Sequence, residues 1–222
     1  MSRSMYDLYF QYYDGTSYSL FSADLSNKDY AILLRDERQI IRGFSTLAVL
    51  EFTFAERQKR AIFSGDTIVH HEYWGEQTLS LTWCRLAGTI KREKPDVPLY
   101  WFLIVKGYRT YRYLPVFARQ FYPNWRYSTP DEDRVLMDYL GRSRFGEYYD
   151  PDSELVKFPI SQGHLREKWA DIKPEMRKKP DVKYFLTRNP EYYRGHELVC
   201  LMELRADNMR SHARRGFLEG LN

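Results

Sequence analysis

The chain has 222 residues, with 34 Lys and Arg against 30 Asp and Glu and a net charge of +4, a balance too mild to single out nucleic acid as the partner. Hydrophobic residues make up 43 %, enough for a substantial core, while no run of about 18 apolar residues offers a membrane span. The N-terminal MSRSMYDLYFQYYDG lacks the apolar centre of a secretion signal, so the expectation is one cytoplasmic domain over residues 1–222. Cys84 and Cys200 have neither metal-ligand spacing nor the density of a disulfide scaffold. The unusual feature is aromatic: 19 Tyr, 13 Phe and 5 Trp, residues that fill cores and also line pockets.

Ser4 and Asp7 resemble a capping box with Met5, Leu8, Tyr9 and Tyr12 at helical spacing, so a first helix should end before Asp14-Gly15. Residues 17–29 read as a short helix or loop. YAILL (30–34) and IIRGFSTLAVLEFTF (40–54) read as a hairpin across the polar RDERQ, with Gly43 a candidate bulge. The next strand, Ala61 to His71, carries Gly65 in its middle, the mark of a bulge or of a close-lying ligand.

The turn EYWGEQ then leads into TLSLTWCRLAGTIKREK, where Leu79, Trp83, Leu86 and Ile90 recur on one helical face. LYWFLIVK has no polar alternation and reads as a strand covered on both faces, so residues 61–106 should form a βαβ crossover. YRTYRYLPVFARQFYP reads as a second, aromatic and basic helix. A further helix from about Asp131 should stop near Gly141. Residues 141–180, charged and broken by Pro151, Pro159, Pro174 and Pro180, read as an irregular insertion. A short helix, a strand at Glu197 to Leu204 and a last helix from about Asn208 close the chain.

The strand-to-helix turn at Tyr73 to Gln77 offers free backbone N–H groups and a helix dipole to an anion. Asp66, His70, His71 and Glu72 are candidate proton acceptors. Strand alternation puts His70 and Glu72 on one face as an acid–base pair, and the plainer reading makes them polar residues of a turn. His71-Glu72 begins like a zinc-protease helix motif, but Gly75 stands where the second histidine belongs. No metal is expected. Arg109 and Arg112, near the proposed cleft, suit a phosphate or a solvated surface equally.

The order of these elements resembles the GNAT superfamily of N-acetyltransferases. The resemblance rests on GFSTLAVLEF, on IVHHEYWGEQTLSLTWCRL, on LYWFLIVKGYRTYRYLPVFARQFYP and on RNPEYYRGHELVCLMEL, and it lies in element order rather than in signature motifs. It implies an α+β fold: a mixed central sheet of about six to seven strands flanked by helices, acyl-CoA N-acyltransferase-like. In that family acyl-CoA lies where two strands splay, with its pyrophosphate on the turn. By position the donor site is then Tyr73, Trp74, Gly75, Glu76 and Gln77 with Arg109 and Arg112. Only the first glycine of the family's turn is present, as Gly75, and Glu72 replaces Gln or Arg.

The family's thiolate-protonating tyrosine has Phe117 at its aligned place, which leaves Tyr111 as the nominated phenol beside Tyr108, Tyr113 and Tyr122. The resemblance thus implies an N-acyltransferase with Glu72, His70 and Tyr111 as catalytic residues. The donor would be acyl-CoA or acetyl-CoA, or an acyl carrier protein, and the acceptor a small-molecule amine. A homodimer is compatible; nucleic acid and membrane are not expected partners. The alternative is a non-catalytic protein of the same fold with a degenerate donor site, binding a ligand or a partner.

Overall fold

The computed structural model describes residues 1–222. Helix α1 (Ser2–Phe10) buries Met5, Leu8 and Tyr9; Ser4 and Asp7 lie inside it and no side chain caps it, so the expected capping box does not form. After strand β1 (Tyr13–Asp14), Ser17 caps α2 (Tyr18–Ser26) by accepting a hydrogen bond from the Leu20 N–H. β2 (Tyr30–Arg35), β3 (Ile41–Phe54) and β4 (Arg57–Val69) follow as an antiparallel meander. β3 reverses into β4 at Ala55-Glu56, both at positive φ, the geometry whose twist matches flanking strands.

Helix α3 (Thr78–Glu93) then crosses to β5 (Leu99–Val105), which pairs in parallel with β4, as its unalternating apolar run led one to expect. The single aromatic helix expected next is instead two short ones, α4 (Tyr108–Tyr111) and α5 (Tyr113–Phe117). Pro115 has no N–H to offer the Tyr111 carbonyl, so the helical ladder breaks there.

Helix α6 (Asp131–Phe145) has Asp131, Glu132 and Asp133 in its first turn, where they complement the helix dipole. It runs through Gly141 rather than stopping there. A Cβ at Gly141 would lie 2.8 Å from the Tyr149 ring, so this glycine admits a neighbour, and the helix ends instead at Gly146, at φ +56°.

The chain continues through short pieces: β6 (Tyr149–Asp150), β7 (Leu155–Val156), β8 (His164–Leu165), α7 (Glu167–Ala170) and α8 (Pro174–Arg177). α9 (Pro180–Arg188), β9 (Glu197–Glu203) and α10 (Ser211–Leu221) complete it.

The result is the α+β class expected. A seven-stranded mixed sheet runs in the order β2-β3-β4-β5-β9-β7-β6, and β1 pairs with β8 beside it. On one face α3, α5, α9 and α10 pack over Leu47, Ile62, Leu99, Trp101 and Leu103. On the other, α6 covers Ala61, Phe63, Phe102 and Leu201. α1 and α2 close the end of the sheet at Phe44 and Ile68. No helix is long and apolar enough to cross a membrane.

Helix α3 is pressed against α10 through glycines. A Cβ at Gly220 would stand 1.9 Å from the Arg85 carbonyl oxygen, and one at Gly88 2.1 Å from that of Phe217. Alanine gains about 1 kcal/mol over glycine in helix propensity, while forcing helix backbones apart costs about 1–3 kcal/mol or more. Gly220→Ala should therefore lower stability by about 2 kcal/mol in a denaturant melt, whereas Ser143→Ala on the exposed face of α6 should stay within about 0.5 kcal/mol.

Candidate functional site

The sheet splits at one place. β4 and β5 pair from Arg60–Leu99 to Ser64–Leu103 and no further. Beyond that point β4 stays with β3, up to Val69–Gly43, and β5 stays with β9, up to Val105–Leu198. The cause lies one strand away. Ser45 pairs with Thr67 and Leu47 with Ser64, so Thr46 alone faces Gly65 and Asp66, a bulge that bends β4 away from β5. Gly65 leaves room there for two neighbouring side chains, since a Cβ would meet Lys28 Cε at 2.4 Å and Thr46 Oγ1 at 2.5 Å and both would have to shift. The fork is braced by Trp101, whose indole N–H donates to Ser64 Oγ at 2.7 Å.

A cavity of about 300 Å3 fills the wedge. Its walls include Phe63, Trp83, Trp101 and Phe117, and among them sit Asp66, Lys106 and Glu197. Lys106 Nζ lies 3.5 Å from Glu197 Oε1, with these side chains only 14 % and 6 % exposed. The Tyr13 ring stacks on Tyr9 at 4.5 Å and lies 5.7 Å from Lys106 Nζ.

Burial pushes the Glu197 carboxyl up to about 7; Lys106 pulls it down and Asp66 pushes it up further. Burial likewise raises Asp66 to about 6, opposed by Lys106. Two carboxyls that share one ammonium and change charge near neutrality can take up and release protons at working pH.

A second cavity, of about 320 Å3, lies on the turn side and shares Tyr13, Thr67, Thr110 and Tyr113 with the first. Tyr73, Trp74, Gly75, Glu76, Arg109 and Arg112 line it. The structure thus brings together six of the seven residues nominated for the donor; Gln77, at the N-cap of α3, is not among the lining residues.

The turn is tightly self-bonded. The Tyr73 N–H donates to His70 O at 2.8 Å, Trp74 to His71 O at 3.3 Å and Glu76 to Tyr73 O at 3.1 Å. Gly75 takes φ +103°. An anion is left with the N–H groups of Gly75, Gln77 and the first turn of α3, whose helical bonding starts with Leu81 N–H to Gln77 O. Arg109 stacks 4.7 Å from the Trp74 ring and donates to the Trp169 carbonyl, and Arg112 pairs with Asp181 at 3.0 Å.

The residues nominated as catalytic lie elsewhere. His70 Nδ1 is 3.6 Å from Glu72 Oε2, but Glu72 is 68 % exposed and neither residue lines either of the two cavities. The strand ends at Val69, so alternation no longer places these two side chains. Tyr111 is fully buried and donates to the Pro123 carbonyl at 2.8 Å. Tyr113, on the far side of the helix break, lines both cavities, and burial raises its phenol.

Glu197 and Lys106 escaped the sequence reading. Their signal was a charged residue abutting an otherwise apolar strand, in ELVCLME and LYWFLIVK. No group of three or more His, Cys, Asp or Glu side chains is arranged to hold a metal ion.

No family model matches the chain, and no curated protein matches it. Among solved structures, one from Enterococcus faecalis, described as a conserved protein of unknown function and probable N-acyltransferase, is similar with a TM-score of 0.40 and 16 % identity. The match covers 54 % of this chain and 30 % of that one.

The buried carboxyls set a stability signature. Both hold protons more tightly folded than unfolded, so the stability they contribute is present at low pH and lost as pH rises through about 6 to 7. Glu197→Gln should accordingly raise the melting temperature by at least about 3 °C at pH 8 and by less at pH 5, measured by differential scanning calorimetry.

Proposed function

We propose that the wedge is the active centre of an N-acyltransferase that moves an acyl group from a thioester to the amine of a small molecule. The observation that carries this reading is the junction of two cavities at the β4–β5 split, with carboxyls of near-neutral pKa on one side and a phenol at the crossing. A thioester arm entering through the turn-side cavity would bring its carbonyl carbon to the split. An amine entering the aromatic cavity would meet it there.

Asp66 and Glu197, ionised, accept the proton that the ammonium must lose before its lone pair is free. The nitrogen then attacks the carbonyl carbon and a C–N bond forms; as the C–S bond breaks, the nitrogen gives its second proton to the other carboxylate, so that the two carboxyls take two protons, one of which returns through the phenol and one of which leaves to water. The leaving thiolate takes a proton from the Tyr113 phenol, which its raised pKa keeps protonated at neutral pH. The phenolate is reprotonated from the base. The edge of β4 beyond Ser64 has no strand partner on its β5 side and offers backbone donors to the developing oxyanion. Lys106 holds the carboxyl pair charged once the proton has left.

Incubating octanoyl-CoA with a panel of aromatic and aliphatic amines, and following free thiol and amide by mass spectrometry, tests the reading. Amide should form with kcat/KM rising with pH through about 6 to 7, since the base must be ionised. Glu197→Gln and Asp66→Asn should each lower kcat by about 10²-fold or more, and Tyr113→Phe by about tenfold. His70→Gln and Glu72→Gln should change kcat by less than about twofold, because neither side chain lines either of the two cavities. Amide formation unaffected by loss of both Asp66 and Glu197 would defeat the mechanism. Ligand binding without any thioester consumption would favour a non-catalytic protein.

A further inference from the structure

The mouth of the turn-side cavity is asymmetric in charge. On the turn, Glu72 and Glu76 are exposed, and three of the N–H groups that would wrap a pyrophosphate are bonded within the turn. Across the mouth, residues 166–183 hold seven basic residues against four acidic ones. Lys168, Lys173, Arg177, Lys178, Lys179 and Lys183 are all exposed and none pairs with a carboxylate, whereas neighbouring Arg166 and Arg112 pair with Asp14 and Asp181.

The same segment builds the cavity. Trp169, Ala170 and Met176 line it, and Trp169 is fixed by its indole N–H bond to the Gln11 carbonyl and by the Arg109 bond to its own carbonyl. The cationic surface therefore stands on a braced wall of the entrance.

CoA presents a pyrophosphate and a 3′-phosphate at the end of its arm, and these would have to settle beside Glu72 and Glu76 at short range. An acidic protein carrying the same arm on a single phosphodiester presents its negative charge as a broad surface instead. Building on the acyltransferase reading, we infer that residues 166–183 dock an acidic carrier protein whose phosphopantetheine thioester threads the turn-side cavity. Charges of opposite sign over such a surface steer encounter and set specificity, and none of these lysines is neutralised by a carboxylate of the protein. The turn, with its two glutamates, works against the nucleotide-bearing donor.

Isothermal calorimetry with three octanoyl thioesters, on an acyl carrier protein, on CoA and on pantetheine, separates the sources of affinity. The carrier thioester should bind at least about tenfold more tightly than the CoA thioester at low salt, with the difference shrinking as salt screens the surface charges. A Lys173→Glu/Lys178→Glu/Lys179→Glu variant that melts like the parent should lose at least about tenfold in carrier affinity and keep its affinity for the pantetheine thioester. CoA thioester binding as tight as that of the carrier, or a triple variant that holds the carrier as well as the parent does, would overturn the inference. If the CoA thioester binds and reacts without carrier preference, only the docking surface is refuted. If none of the three thioesters binds, the acyltransferase reading goes with it.

Discussion

The wedge proposed as the active centre depends on two parallel strands parting after five rungs while each remains bonded to its other neighbour. A sheet resists such a split, since every backbone group left without a ladder partner must be satisfied in some other way. The protein maintains it with one extra residue at Gly65-Asp66, a Trp101–Ser64 bond at the fork and aromatic side chains that keep the gap from collapsing. The bulge also turns the Asp66 side chain into the gap. A local irregularity of β4 thus opens the space and also equips it.

The groups inside the gap are unfavourable as structure. Two carboxyls and one ammonium removed from water carry a desolvation penalty that one ion pair does not offset, and burial is the leading cause of both raised pKa values. An apolar trio would stabilise the wedge more. Retaining titratable groups where strands diverge and two cavities meet is what proton transfer needs. The outlying ion pairs contrast with this: Arg60 with Glu93 at 2.7 Å and Arg188 with Glu154 at 2.7 Å bind elements together and line neither of the two cavities.

The backbone was largely legible in the sequence, because hydrophobic period and punctuation report on local conformation. LYWFLIVK could only be a strand covered on both sides, and Leu79, Trp83 and Ile90 do face the core from α3. Gly65 does mark a bulge. Gly141 misled because a glycine that admits the Tyr149 ring looks the same in sequence as one that ends a helix. The chemistry was harder to read. Glu197 reaches Asp66 and Lys106 only through the antiparallel pairing of β9 with β5, a contact between residues far apart in the chain. The break before Pro115 resets the helical phase, so that Tyr111 turns into the core and Tyr113 to the cavities. The nominated His70 and Glu72 fall one and three residues past the end of the strand whose alternation was meant to aim them.

The most direct test of this account is a crystal structure with a non-hydrolysable acyl-pantetheine analogue in which a methylene replaces the thioester sulfur. The account predicts the arm in the turn-side cavity, the methylene between the diverging edges of β4 and β5 within reach of the Tyr113 phenol, and the acyl carbonyl against the unpaired edge beyond Ser64. An analogue lodged anywhere else, or strands closed past Ser64 and Leu103 into a continuous ladder, would contradict it.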